Sequence, residues 1–386
     1  MAKNPSYLLI VLIVLVVILI YLMDFAVIES MQVKAKKALV LHSIKCEGKR
    51  KSWLAQVANY SIKELEYLNL QLSYMDSEGN TSACTAGWEG LPYVSHKVTQ
   101  DTLLNFASVT KVFTSELILD LVRQQKISLN DKLVNFLPKI NTDNLNDARV
   151  ADITISDLLS HRAGFDGNIT NDTMVSTLPW CPYDIKQLQG ITLDFDPNSK
   201  NVYSNIGYCL LAKVIENVYA KSYTEVSLDY FNFDNSGIRF IQSNRADQRK
   251  IPDMNKSAYL INLDFYALAS VGALTGNSNE LVRYIHEMDR VSYPNVTSRS
   301  NGINCEVTYV RGCHGFSGYE YSADKKLTLY WRDGRLPKAS ALVTIDSDGG
   351  VLAFLSSSED SAAWLTTHNQ LIKKIYNIYL EEKNHV

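Results

Sequence analysis

The hydrophobic pattern divides the chain into three parts. Residues 7–23 form an unbroken apolar run rich in Leu, Ile and Val, closed by Asp24 and followed by apolar residues 25–28. About twenty residues at a 1.5 Å rise span the hydrocarbon layer, and in lipid only a helix satisfies the backbone of such a stretch. No small-x-small cleavage site follows the run, so the pattern predicts a retained N-terminal membrane anchor over 1–28 rather than a removed signal peptide. Residues 29–55 are charged and partly helical in pattern and are expected to form a stalk. From 56 onward the pattern is that of a folded domain.

Within that domain the periodicity changes twice. Residues 67–75 alternate apolar and polar, the turn residues Asp76, Ser77, Glu78 and Gly79 follow, and 81–88 returns, which predicts a hairpin. A helical spacing takes over at 108–125, where Val112, Leu117, Leu119, Leu121 and Val122 make an apolar face, and further helices are expected at 156–159, 207–219 and 280–288. Strand patterns reappear at 327–331, 341–345 and 351–355, and an amphipathic helix at 362–382 closes the chain. Strands at both ends with helices between predict an α/β (α+β) fold: an antiparallel sheet flanked by helices, with an all-helical region inserted over about 125–290.

Composition narrows the function classes. With 386 residues, 46% hydrophobic and 20% charged, the chain is long enough for a large core. A net charge of −3, without a basic stripe interleaved with aromatics, argues against nucleic acid as a partner. The six cysteines allow up to three disulfides; Cys305 and Cys313 have a hairpin spacing, while Cys84 and Cys209 fit buried free thiols as well as bridges. Asn-x-Ser/Thr triplets at Asn59, Asn80, Asn168, Asn171, Asn255 and Asn295 suit an extracytoplasmic domain, as does the anchor, although charge counting around the run leaves its orientation open.

The chemistry centres on Ser108. A serine followed three residues later by lysine forms a nucleophile and base pair when a helix begins there, because one turn puts both side chains on one face. Ser108-Val109-Thr110-Lys111 meets that condition, and its neighbours Phe106, Ala107, Val112 and Phe113 are apolar, as a buried site requires. A second element is Tyr203-Ser204-Asn205 at the start of a helix: a phenol near a cation ionises more easily and can carry a proton.

These segments together resemble the serine β-lactamase and penicillin-binding-protein family, in the branch with class C β-lactamases, D-alanyl-D-alanine peptidases and family VIII esterases. Residues 126–138 and the run Ile153 to His161, closed by Arg162-Ala163-Gly164, are similar to the segments after that family's nucleophile helix. The resemblance implies a β-lactamase/transpeptidase-like fold, Ser108 as nucleophile, Lys111 and Tyr203 as proton carriers, and Asn205 bonded to Lys111 or to a substrate amide. It also implies that Trp331-Arg332-Asp333-Gly334 occupies the strand facing the nucleophile. There Arg332 meets a substrate carboxylate, Gly334 lets substrate approach the strand edge, and the N–H groups of Arg335 and Ser108 form the oxyanion hole.

The chain departs from the family at Asp333, where a small hydroxyl or Gly is usual, and at Asn198, where Gly is usual after Pro197. Asp333 is expected beside the acyl site, neutralising Arg332 and repelling carboxylate-bearing substrates such as β-lactams. His314-Gly315-Phe316-Ser317-Gly318 is not a nucleophile elbow, because Tyr319 stands where that motif needs glycine; it matches the family's Gly-rich strand before the third motif. No His/Cys/Asp/Glu cluster has metal-ligand spacing and no phosphate-binding glycine motif occurs, so neither metal nor cofactor is expected. Two functions fit: a membrane-anchored serine hydrolase acting through an acyl-enzyme on a small-molecule or peptide-like ester or amide, or a catalytically weak binding or self-assembling module on the same fold. The sequence leaves oligomeric state open.

Overall fold

A computed structural model of the chain describes residues 25–167, 179–243, 245–252, 263–299, 305–357 and 364–384, together with Leu9 and Val11. The run 7–23 expected to cross the membrane therefore lies, but for those two residues, outside the described part. Among the described residues no helix is long and apolar enough to cross a membrane.

Eleven strands are described: β1 (Lys45–Gly48), β2 (Asn69–Met75), β3 (Thr81–Gly87), β4 (Leu104–Asn105), β5 (Arg239–Phe240), β6 (Leu274–Gly276), β7 (Cys313–His314), β8 (Tyr319–Tyr321), β9 (Leu329–Leu336), β10 (Ala339–Asp346) and β11 (Val351–Ser356). Eight of them form one antiparallel sheet in the order β1-β3-β2-β11-β10-β9-β8-β7. The two ends of the chain thus build one sheet. Both its faces are covered, and the period-2 alternation of side chains shows it: Leu70, Leu72 and Tyr74 of β2 enter one hydrophobic cluster, while Met75 enters the other and Gln71 bonds the Thr102 carbonyl at 2.8 Å on that second side.

The first face carries helices from the chain termini: α1 (Phe25–His42), α2 (Lys51–Lys63) and a C-terminal helix, Trp364–Asn384. The segment 29–55 expected as a stalk is part of this layer. Val40, Trp53 and Leu54 are buried, and β1 is an edge strand bridged to β3 by Cys46–Cys84. The four residues of β1 contain no apolar alternation, which is why the charges around them dominated the pattern.

The second face packs on α3 (Thr110–Arg123), α4 (Ile155–Leu159), α5 (Asn205–Tyr219), α6 (Tyr223–Phe231) and α7 (Ser278–Asp289), with the C-terminal helix numbered α8. Helix α3 is buried on nearly every side, its polar residues Lys111, Thr114, Ser115 and Glu116 included. Capping boxes start α4 (Thr154 with Asp157) and α6 (Ser222 with Glu225), each satisfying two end donors. The inserted region is not all-helical: β4, β6 and β5 form a small antiparallel sheet, of strands too short to register as alternation. All six cysteines are bridged, adding Cys181–Cys209 and Cys305–Cys313, so Cys84 and Cys209 are not free thiols.

Candidate active site

Ser108 sits in a single 3-10 turn, Ala107–Val109, that runs into α3. Ala107 has φ 44°, the left-handed region that L-residues avoid. The turn is tied down on both sides: the Phe106 N–H donates to the Leu274 carbonyl at 2.9 Å, and the Ala107 N–H donates to the Asn105 side chain. One turn into α3, Lys111 is fully buried and donates to Ser108 Oγ at 3.2 Å and to the Val271 carbonyl at 2.9 Å.

Tyr203 arrives from the loop before α5. Ser204 is the N-cap of that helix, its hydroxyl accepting the Ile206 N–H, so the cap fixes where the loop stops and where Tyr203 stands. The Tyr203 hydroxyl lies 2.7 Å from Ser108 Oγ and donates to Asn205 Oδ1 at 3.1 Å. Lys111 Nζ is 5.1 Å from the Tyr203 ring centre. Four residues named from sequence, Ser108, Lys111, Tyr203 and Asn205, therefore form one hydrogen-bonded group. The Tyr203 side remains open to solvent.

Strand β9 closes the site. A Cβ placed on Gly334 would meet the Phe106 carbonyl oxygen at 2.4 Å and the Ser108 nitrogen at 2.8 Å, so only glycine lets the strand come this close to the nucleophile turn. Strand β8 pairs with β9 over 329–331, and β9 runs on past it at the level of Ser108. Arg335 lies opposite Ser340 of β10 and follows Gly334 along that edge.

Arg332 and Asp333 do not share an environment. Side chains alternate along a strand: Arg332 is paired with Val343 on the Ser108 face, and Asp333 with Leu342 on the opposite face. Asp333 is bonded there by Arg311 at 2.5 Å and by His368 Nδ1 at 3.0 Å, and His368 Nε2 lies 2.7 Å from Ser340 Oγ. The expectation that Asp333 stands beside the acyl site is therefore wrong. Burial raises its pKa, but the His368 hydrogen bond and the Arg311 charge outweigh this and hold the carboxyl well below the usual range.

Arg332 is left buried on the site side, among the described residues without a carboxylate ion pair or a hydrogen bond at Nε, and its guanidinium is 5.0 Å from the Tyr203 ring centre. Its neighbours are two neutral histidines that sequence reasoning did not name as site residues. His314 Nδ1 lies 2.7 Å from the Gly315 carbonyl, which places the proton on Nδ1 and turns Nε2 toward Arg332 Nη1 at 3.5 Å. His161 accepts the Ser204 N–H on Nδ1 at 3.3 Å and its ring centre is 4.7 Å from that of Tyr203. Burial, and then the Arg332 charge, lower the His314 pKa to about 3; burial and the neighbouring His314, Arg332 and Lys111 lower that of His161 well below the ordinary value. The signal for His161 was its place in the Ile153-to-Gly164 segment. For His314 it was its place in the run resembling the family's Gly-rich strand.

The assembly has what acyl transfer needs: a hydroxyl bonded to two proton carriers, and a glycine-flanked strand edge within contact of it. Among the described residues no His/Cys/Asp/Glu group has the form of a metal site.

Known proteins resemble the chain in family and fold. The β-lactamase family model matches residues 73–230. The chain is 31% identical over 355 residues to a probable fimbrial assembly protein FimD (serogroup H1) of Dichelobacter nodosus, covering 88% of both chains. Solved structures share the fold at low identity. D-amino acid amidase from Ochrobactrum anthropi superposes with TM-score 0.66 at 15% identity, over 83% of this chain and 95% of that one. A β-lactamase/D-alanine carboxypeptidase from Yersinia pestis gives 0.65 at 14%, over 84% and 98%.

Proposed function

The chain belongs to the serine β-lactamase and penicillin-binding-protein-like family, and on that premise we propose that it is a serine hydrolase that takes up an acyl group on Ser108. The observation that carries the proposal is the triangle of Ser108 Oγ, Lys111 Nζ and Tyr203 Oη, with sides of 3.2 and 2.7 Å at the serine.

Ser108 Oγ attacks the carbonyl carbon of an ester or amide while its proton passes to Tyr203 or Lys111. The oxyanion faces the N–H groups of Ser108 and Arg335. Collapse breaks the bond to the leaving group, which takes the proton back from the same carrier. Water then repeats the sequence against the acyl-enzyme and frees Ser108. Asn205 holds the Tyr203 hydroxyl in line, and the neutral histidines leave the site cationic, so a substrate with a carboxylate directed at Arg332 is the class we assign.

We propose further that the domain lies outside the cytoplasm, anchored by residues 7–23; the three disulfides support an oxidising compartment. A second reading, a non-catalytic assembly module, draws on the relatives named fimbrial assembly proteins. The two separate on intact-mass labelling of the full chain with a fluorophosphonate and, in parallel, with a penicillin. One adduct absent from Ser108→Ala supports the hydrolase, and no adduct on folded protein supports the module.

A further inference from the structure

Beside the Ser108 site lies a second cleft of about 610 Å³, bounded by the α4 region, the loop 196–198, Tyr293 and Arg299. Phe316, whose carbonyl takes the Tyr208 hydroxyl at 2.8 Å, lines this cleft. Four cations line the cleft, and three are committed. Arg149 is paired with Asp147 and Asp196, Lys132 with Asp152, and Arg299 with Glu320.

Arg162 is different. It is only 5% exposed, yet among the described residues its side chain has no hydrogen bond or ion pair, and its Nε is buried without a partner. The nearest acid, Asp157, has its carboxylate engaged by the Thr154 N–H at 2.9 Å and the Thr154 hydroxyl at 2.6 Å. Nor is Arg162 loose: its N–H donates to the Asp157 carbonyl at 2.7 Å and its carbonyl accepts the Asn198 N–H at 2.8 Å. Asn198 holds φ 60°, a conformation asparagine tolerates, and also lines the cleft. The two residues that depart from, or extend, the family-like segments thus meet here.

Asp157 is the one acid whose charge is felt at Arg162, and it makes no direct pair with it; a buried guanidinium without a directly bonded counter-ion is costly, and a rigid one is a prepared anion site. We infer that the Arg162 cleft binds a ligand through a single carboxylate, taken bidentately on the guanidinium, with the polar side chains of Ser156 and Asn198 beside it. A carboxylate suits the planar fork, whereas Asp152, Asp157 and Asp196 around the cleft oppose a phosphate dianion. The inference is separate from acyl chemistry at Ser108.

Calorimetric titration of the full chain carrying Arg332→Gln, which removes the buried guanidinium of the Ser108 site, tests it with hippurate, its neutral amide hippuramide, and phenyl phosphate. Hippurate is expected to bind one to one, the amide and the phosphate at least tenfold more weakly. Adding Arg162→Gln is expected to weaken hippurate at least tenfold. Arg162→Lys, which keeps the charge and loses the fork, should weaken it at least threefold and decides the matter if the glutamine variant does not fold. No hippurate binding, equal binding of the amide, tighter binding of the phosphate, or binding unchanged by both Arg162 substitutions overturns the inference.

Discussion

Asp333→Asn is a sharp test of how β9 is oriented. The wild-type carboxylate accepts from Arg311 at 2.5 Å and His368 at 3.0 Å, and His368 continues to Ser340 and from there to the Tyr67 hydroxyl at 3.0 Å. Arg311 is further held by Asn369 at 3.0 Å and lies over the Trp331 ring at 4.6 Å. The amide keeps the shape and loses the charge. Breaking a buried pair from one side costs about 3–5 kcal/mol; the Arg311 side chain is 19% exposed, so water relieves part of this and the low end applies. A loss of about 3 kcal/mol, set against an unfolding entropy of about 2.1 cal/mol/K per residue in a chain of 386 residues, corresponds to a fall in Tm of about 4 °C, read by circular dichroism of the full chain at pH 7. Because the folded carboxyl titrates below its unfolded value near 4, its contribution is complete above that pH and declines as the pH falls further. The gap between wild type and variant should therefore narrow below pH 4. Since Asp333 faces away from Ser108, fluorophosphonate labelling of the folded variant at 25 °C should stay within about threefold of wild type, a change of under 1 kcal/mol in barrier. A Tm change under 2 °C, or a tenfold change in labelling, refutes this placement.

Other consequences are as direct. Ala107→Gly relieves the left-handed φ before Ser108 and should raise stability by about 1 kcal/mol in urea titration, with the site intact. Glu116 is buried on α3 beside Arg123 and Tyr230; burial raises its pKa to about 7 against the pull of Arg123. Its folded pKa lies above the unfolded one, so wild type should lose stability relative to Glu116→Gln between pH 4.5 and 7, by roughly 1–3 kcal/mol on a pH series of melts. Replacing both Cys181 and Cys209 by Ser should cost about 3–4 kcal/mol in the chain-entropy picture, and non-reducing peptide mapping should recover this bridge with Cys46–Cys84 and Cys305–Cys313.

What the sequence made legible was local. Ser108 and Lys111 are one helical turn apart, and Tyr203 and Asn205 flank a helix cap, so spacing alone fixed each pair. The meeting of the two pairs rested on resemblance. Long strands with clear alternation, β2, β10 and β11, and the helices α3 and α5 stood out for the same local reason. Strand alternation itself puts Asp333 opposite Arg332, whereas the resemblance alone puts both beside the acyl site. The α1–β1–α2 layer was hidden by its exposed lysines and by an edge strand, Lys45–Gly48, whose partner Cys84 lies 38 residues away. The His161 and His314 pair depends on tertiary approach that no spacing encodes.

Acylation of Ser108 is the step on which the proposed hydrolase stands. Rapid mixing of the full chain with p-nitrophenyl acetate, followed by acid quench and peptide mapping, measures it directly. The account predicts a burst of p-nitrophenolate close to one per chain, an acetyl group on the peptide containing Ser108, and neither in Ser108→Ala. A folded chain that releases p-nitrophenolate no faster than Ser108→Ala, with Ser108 unmodified, contradicts it.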